Sequence, residues 1–109
     1  MSAVKYTKDS DNIVTLTLDN PGISANVMNA DYRAGMTAAV AKLVEDKASI
    51  AGVIITSAKK TFFAGGDLKE IISIEAKDAD MFTKMCADEI TTPLRTLETL
   101  GKPIVAAIN

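Results

Sequence analysis

The run from Val53 to Glu70 most constrains the fold, because a strand, a glycine loop and a helix start follow one another in it with little between them. Val53-Ile54-Ile55-Thr56-Ser57 is apolar and β-branched, the pattern of a buried strand. Gly65-Gly66 can take backbone angles closed to other residues and lets another molecule come close to the main chain. Asp67 and Glu70 then have the spacing of a capping box for a helix that starts at Leu68. A helix N-terminus presents unpaired N–H groups and partial positive charge, so this junction can hold an oxygen that becomes negative during a reaction. A tight turn into a capped helix accounts for the same residues, and the local sequence does not separate the two readings.

The rest of the chain repeats this unit loosely. Val4 to Lys8 and Ile13 to Leu18 read as a β-hairpin across Asp9-Ser10-Asp11-Asn12, and Val14, Leu16 and Leu18 alternate with Thr15 and Thr17, which makes one face apolar. Asp19-Asn20-Pro21-Gly22 stops the second strand, and Asn29 is a good N-cap for a helix over Asp31 to Asp46 with Met36, Val40, Leu43 and Val44 on one face. A short helix from Leu68 to about Ile74 precedes a longer one over Asp78 to Leu100. Its apolar stripe is Met81, Met85, Ile90, Leu94 and Leu97, and Pro93 predicts a kink or break near Thr91-Thr92. Gly101-Lys102-Pro103 stops that helix, and Ile104 to Ile108 reads as another buried strand. The pattern is α/β. It predicts the first part of a layered fold, truncated after a buried strand, because ligands of open α/β sheets gather beyond the strands' carboxyl ends and the chain stops there.

Composition narrows the chemistry. With 109 residues, 48% of them hydrophobic, the chain can bury a core as a single domain or part of one. A net charge of −2 argues against a broad grip on nucleic acid or anionic lipid. The apolar runs are far shorter than the roughly twenty residues a bilayer span needs, and Met1 to Lys5 has no signal-peptide core, so a soluble, cytoplasmic protein is expected. The absence of histidine excludes a Ser-His-Asp triad and a typical zinc site built from this chain alone. Cys86 falls among Met81, Phe82, Met85 and Ile90 and reads as a buried core thiol.

The loop ending in Ala64-Gly65-Gly66-Asp67-Leu68-Lys69-Glu70 resembles the F-x-A-G-x-D-[LI]-x-E loop of the enoyl-CoA hydratase/isomerase (crotonase) superfamily. Ile13 to Pro21, Asn26-Val27-Met28-Asn29, and Gly101 to Asn109 resemble that family's opening strand and turn, its N-A-[LM]-[NS] loop and its K-P-[VI]-[IV]-A-A-[IV]-N strand, in order and spacing. Residues 1–109 are therefore expected to form a partial crotonase-like domain, the N-terminal part of a ββα spiral. Ile23 to Asn29 and Ser57 to Phe62 look most like the hydratase end of multifunctional β-oxidation enzymes, which continue into a 3-hydroxyacyl-CoA dehydrogenase.

The resemblance implies roles residue by residue. Gly66 would give one of two backbone N–H groups that hold the thioester oxygen of an acyl- or enoyl-CoA. Ala64 would contact the adenine end of coenzyme A, Gly65 and Leu68 would line the thioester and pantetheine path, and Ala25, Asn26 and Val27 would form the channel's other side. Asp67, also on that loop, reads as a helix cap rather than a proton carrier. Lys59 and Lys60 read as solvated, with contact to the coenzyme's phosphates as the alternative. Glu70, Glu75, Glu89 and Glu98 read as solvated helix faces, since the family's two catalytic glutamates follow the strand matched by Ile104 to Asn109. The chain alone is thus expected to be inactive. Coenzyme A enters as part of the substrate, with no metal and no tightly bound cofactor. Homo-oligomers, or a thiolase partner in the multifunctional branch, are the implied assemblies. A non-catalytic coenzyme A-binding or assembly module, or another reaction of the superfamily such as isomerisation or thioester hydrolysis, is the alternative function.

Overall fold

In the computed structural model, residues 2–109 are described. Strands β1 (Val4–Lys8) and β2 (Ile13–Leu18) form the antiparallel hairpin, closed where Asn12 takes a φ of 62° and the Asp9 carboxylate accepts from the amides of Asp11 and Ile13. Helix α1 (Ala30–Asp46) starts where the Asn29 side chain accepts from the Tyr32 amide, and it leads into β3 (Gly52–Ser57), parallel to β2 with Leu18 opposite Ser57. Short helix α2 (Leu68–Ile72) follows the glycine loop. Helices α3 (Ala79–Met85) and α4 (Thr92–Glu98) are joined by a π-turn over Cys86–Thr91, and β4 (Ile104–Ala106) lies parallel to β3 at the edge of a four-stranded sheet ordered β1-β2-β3-β4.

The core sits between the sheet and α1. Val14, Leu16 and Leu18 on the apolar face of β2 meet Met36, Val40 and Leu43 of α1, and Ile50, Val53, Leu97 and Leu100 close the cluster. Burying such a side chain contributes about 1.5–3 kcal/mol, so this layer fixes the register of β2 and the angle of α1. Gly35 is needed where α1 crosses β1, because a Cβ there would stand 3.1 Å from the Val4 amide nitrogen.

Four expectations are corrected. Val44 is half exposed; it lies at the rim of a groove between α1 and α4 with Pro93 and Thr96, rather than on the face that meets the sheet. Cys86 is only partly buried, because neither α3 nor the π-turn that Cys86 opens buries any residue. Met81 and Leu94 are likewise exposed. Beyond Ile104, the last strand is an exposed sheet edge rather than a buried strand: it pairs on one side with β3, and Val105 and Ile108 are solvent-accessible.

The break expected near Thr91-Thr92 is there: a π-turn six residues long ends at Thr91, and α4 starts at Thr92. Proline at that place has no N–H for the carbonyl four residues back and its ring presses on that carbonyl. The helix answers with five-residue spacing, in which both the amide and the hydroxyl of Thr92 donate to the Ala87 carbonyl, the latter at 2.7 Å.

Candidate active site

The carboxyl ends of β2 and β3 gather at one edge of the sheet, and two loops leave from them. Asn26, 1% exposed, joins the loops to the sheet. Its Nδ2 donates to the Leu18 carbonyl (3.1 Å), the Ser57 hydroxyl (2.8 Å) and the Phe62 carbonyl (3.1 Å), while its Oδ1 accepts from the Asn20 amide at 3.0 Å. Asn20 extends the network, accepting from the Val27 amide at 2.8 Å and donating to Asn29 Oδ1 at 2.9 Å. Buried amides of this kind persist only when their hydrogen-bonding capacity is met, and here the partners are main-chain and side-chain groups of both loops and of the strand ends they leave.

Backbone bonds complete the juncture. Ala64 donates to the Asn26 carbonyl and Met28 to the Gly65 carbonyl, each at 2.8 Å, and Met28 bridges Gly66 in parallel fashion. Phe63 packs edge-on against Tyr32 in the first turn of α1, with ring centroids 5.1 Å apart. Gly65 has a φ of 98°, a conformation that side chains disfavour, with open space around it. Gly66 needs glycine for a different reason: a Cβ would come within 2.8 Å of Ile71 Cδ1.

The Gly66 N–H has no acceptor among the described residues. Gly66 borders a mostly apolar cavity of about 110 Å³, whose other walls include Met28, Ile71, Phe82, Met85 and Ile90. A second, open groove of about 340 Å³ runs between the two loops and brings Ala25 and Val27 beside Asp67 and Lys69.

Asp67 caps α2 by accepting from the Lys69 amide at 3.1 Å. The capping box is not formed, because the Glu70 carboxylate turns to Arg33 instead: Oε1 lies 2.8 Å from one guanidinium nitrogen and Oε2 accepts from the other at 3.1 Å. Arg33 Nε also donates to Glu89 at 2.9 Å. Glu70 is therefore drawn into an ionic cluster instead of lying on a solvated helix face, and Glu89 joins the cluster while staying exposed, as expected. The hydrogen bonds that the guanidinium donates to Glu70 first, then the charge of Glu70 and the bond to and charge of Glu89, hold the guanidinium pKa above its ordinary value despite burial. Lys59 is not solvated either: it pairs with Asp19 at 2.9 Å and donates to the Asn20 carbonyl at 2.8 Å, so its charge is spent on fastening the ends of β2 and β3.

The description of the family model that matches residues 8–109 is enoyl-CoA hydratase/isomerase. The chain belongs to this family. Fatty acid oxidation complex subunit alpha of Shewanella halifaxensis is 33% identical over 105 residues, covering 94% of this chain and 14% of the relative. The same subunit of Shewanella loihica is 35% identical over 99 residues, which are 89% of this chain and 13% of that one. The chain thus spans about one-seventh of the curated relatives' length. Among solved structures, an enoyl-CoA hydratase of Mycobacterium smegmatis matches with a TM-score of 0.84 at 27% identity, over 99% of this chain and 40% of the other. An enoyl-CoA hydratase/carnitine racemase of Magnetospirillum magneticum matches with a TM-score of 0.80 at 26% identity, over 99% and 39%. The mixed sheet and its helices are accordingly a crotonase fold over the full chain.

Within this hydratase/isomerase domain, the residues singled out from sequence do converge, on two loops that touch. Ala25, Asn26 and Val27 lie on one, and Ala64, Gly65, Gly66, Asp67 and Leu68 on the other. Not all are equally available. The Asn26 side chain and the Ala64 N–H are consumed by the protein, and the Leu68 side chain is 72% exposed. Arg33 escaped the sequence reading altogether. Its one signal is a lone arginine in the Ala-rich first half of an amphipathic helix, which shows its meaning only when Glu70 and Glu89 are seen to approach it.

Proposed function

We propose that this domain is the N-terminal part of an enoyl-CoA hydratase-type enzyme of fatty-acid β-oxidation, with the Gly66 N–H as one of two donors to the thioester oxygen. The observation that carries the reading is a main-chain amide with no protein acceptor, beside an apolar cavity at the start of a capped helix. Addition of water at the β-carbon of an enoyl thioester moves negative charge onto the carbonyl oxygen. A donor already fixed in place meets that charge without reorganising, and loss of one such donor costs about 2.7–4 kcal/mol of transition-state stabilisation.

The other residues serve by position. Ala25 and Val27 would line one side of the coenzyme groove, with Asn26 acting through the bonds that hold it open. Gly65, Asp67 and Leu68 would line the other side, and Ala64 would offer its carbonyl, since its N–H is taken. Asp67 caps α2 and moves no proton in this scheme. Hydration also needs a carboxylate to activate water and a carboxylic acid to return a proton. Glu70 and Glu89 are both bound to Arg33, so those two groups are assigned to carboxylates outside residues 1–109. The relatives are named as subunits of a complex, which supports a full-length protein that works with further subunits.

The test is titration of the ¹⁵N-labelled chain with crotonyl-CoA, followed by amide spectra and by the enoyl absorbance. The Gly66 amide proton should move downfield, neighbouring amides from 64 to 68 should respond, and the absorbance should stay constant. An unmoved Gly66 amide at saturating thioester refutes its role, and hydration by a verified 109-residue preparation refutes the assignment of the acid and base.

A further inference from the structure

We propose that Arg33 is a positioning residue, whose guanidinium sets the place of the Gly66 amide by holding α2 and the π-turn against α1. The inference rests on the role given to Gly66 above. Hydrophobic burial does not hold α2: none of its residues is buried, and Leu68, Ile71 and Ile72 are 72%, 49% and 81% exposed. Its location depends on polar ties.

Those ties converge on one side chain. The guanidinium grips Glu70 of α2 through two nitrogens and also donates to the Met28 carbonyl at 3.4 Å, and Met28 is the bridge partner of Gly66. Arg33 therefore holds both the chain that follows Gly66 and the segment that bridges it. Its Nε binds Glu89, whose neighbour in the chain, Ile90, lines the same cavity. One residue of the cavity lining, 9% exposed, thus ties α2, the Met28 loop and the π-turn together. An exposed ion pair would carry little weight, but a withdrawn, forked arginine has geometry as well as charge to give, and lysine cannot reproduce it.

Arg33→Gln, Arg33→Lys and Glu70→Gln in the full 109-residue chain test the proposal through the Gly66 amide shift, ¹⁵N relaxation over residues 66–72, and the absorption of bound cinnamoyl-CoA. That chromophore shifts to the red when its carbonyl is polarised, which fold stability alone does not change. In Arg33→Gln the order parameters of α2 should fall from about 0.85 to below about 0.6 while the amides of β2 and β3 keep theirs. The red shift should shrink, and binding should weaken about tenfold. Arg33→Lys should fall between Gln and the unsubstituted chain. If Arg33→Gln fails to fold, Glu70→Gln, which leaves the Glu89 tie, gives the same readings. An unchanged Gly66 shift and unchanged order in α2 would overturn the proposal. If the unsubstituted chain does not bind the probe, the thioester role of Gly66 fails, and the relaxation data still decide what Arg33 holds.

Discussion

Asn26→Ala should remove about 3 kcal/mol of stability, a figure that follows from counting which groups keep a partner. The Leu18 carbonyl still accepts from the Ala58 amide, and the Ser57 hydroxyl still donates to the Thr61 carbonyl. The Asn20 amide and the Phe62 carbonyl lose the partner that Asn26 gave them. An unsatisfied buried group costs about 1–3 kcal/mol, and water entering the vacated space recovers part of the total. For a domain of this size the loss corresponds to roughly 12–15 °C in melting temperature. Urea unfolding followed by circular dichroism measures it directly. Asn26→Asp sharpens the test, because it keeps the acceptor for Asn20 but turns a carboxylate oxygen toward two carbonyls. The folded state then favours the protonated carboxyl and raises its pKa. The stability tied to that proton is full below the unfolded pKa and is lost as pH rises through the folded one. Relative to the unsubstituted chain at the same pH, this variant should be least impaired in acid. A loss under about 1 kcal/mol in Asn26→Ala, or an Asn26→Asp chain that gains on the unsubstituted chain as pH rises, would refute the account of Asn26 as the joint of the two loops.

Two further predictions concern the same region. Gly65→Ala should cost about 1–2 kcal/mol in chemical denaturation, from the positive φ alone, because nothing crowds the added methyl; a neutral substitution would contradict that conformation. Hydrogen bonds from Lys5 and then Lys59 hold the Asp19 pKa near about 2, below its unfolded value, so its contribution is present above the ordinary carboxylate range and is lost as pH falls from about 4 to about 2. Unfolding curves across that interval should show the loss in the unsubstituted chain and a flatter response in Asp19→Asn.

Much of the fold was legible because it is written in local patterns. Alternation in Ile13 to Leu18 gave β2, the β-branched run gave β3, and Asn29 marked the start of α1 at the residue where the structure places it. The two loops were legible through their resemblance to the family's motifs, since a glycine pair before a helix cap serves a plain tight turn equally well. What stayed hidden depends on partners far away in the chain. Arg33 meets Glu70 and Glu89 across 37 and 56 residues, and Lys59 meets the Asn20 carbonyl across 39. Nothing in the neighbourhood of a charged residue tells whether a counter-ion will arrive. Pro93 announced a disturbance near Thr91-Thr92 without telling that it would take the form of a π-turn.

The asparagine joint has a consequence for motion. Because a single side chain grips the end of each central strand and the stem of the glycine loop, the two loops cannot drift apart unless the sheet margin frays with them. Their freedom is surrendered when the chain folds, so a guest that settles between them meets a mould already set rather than one it must shape.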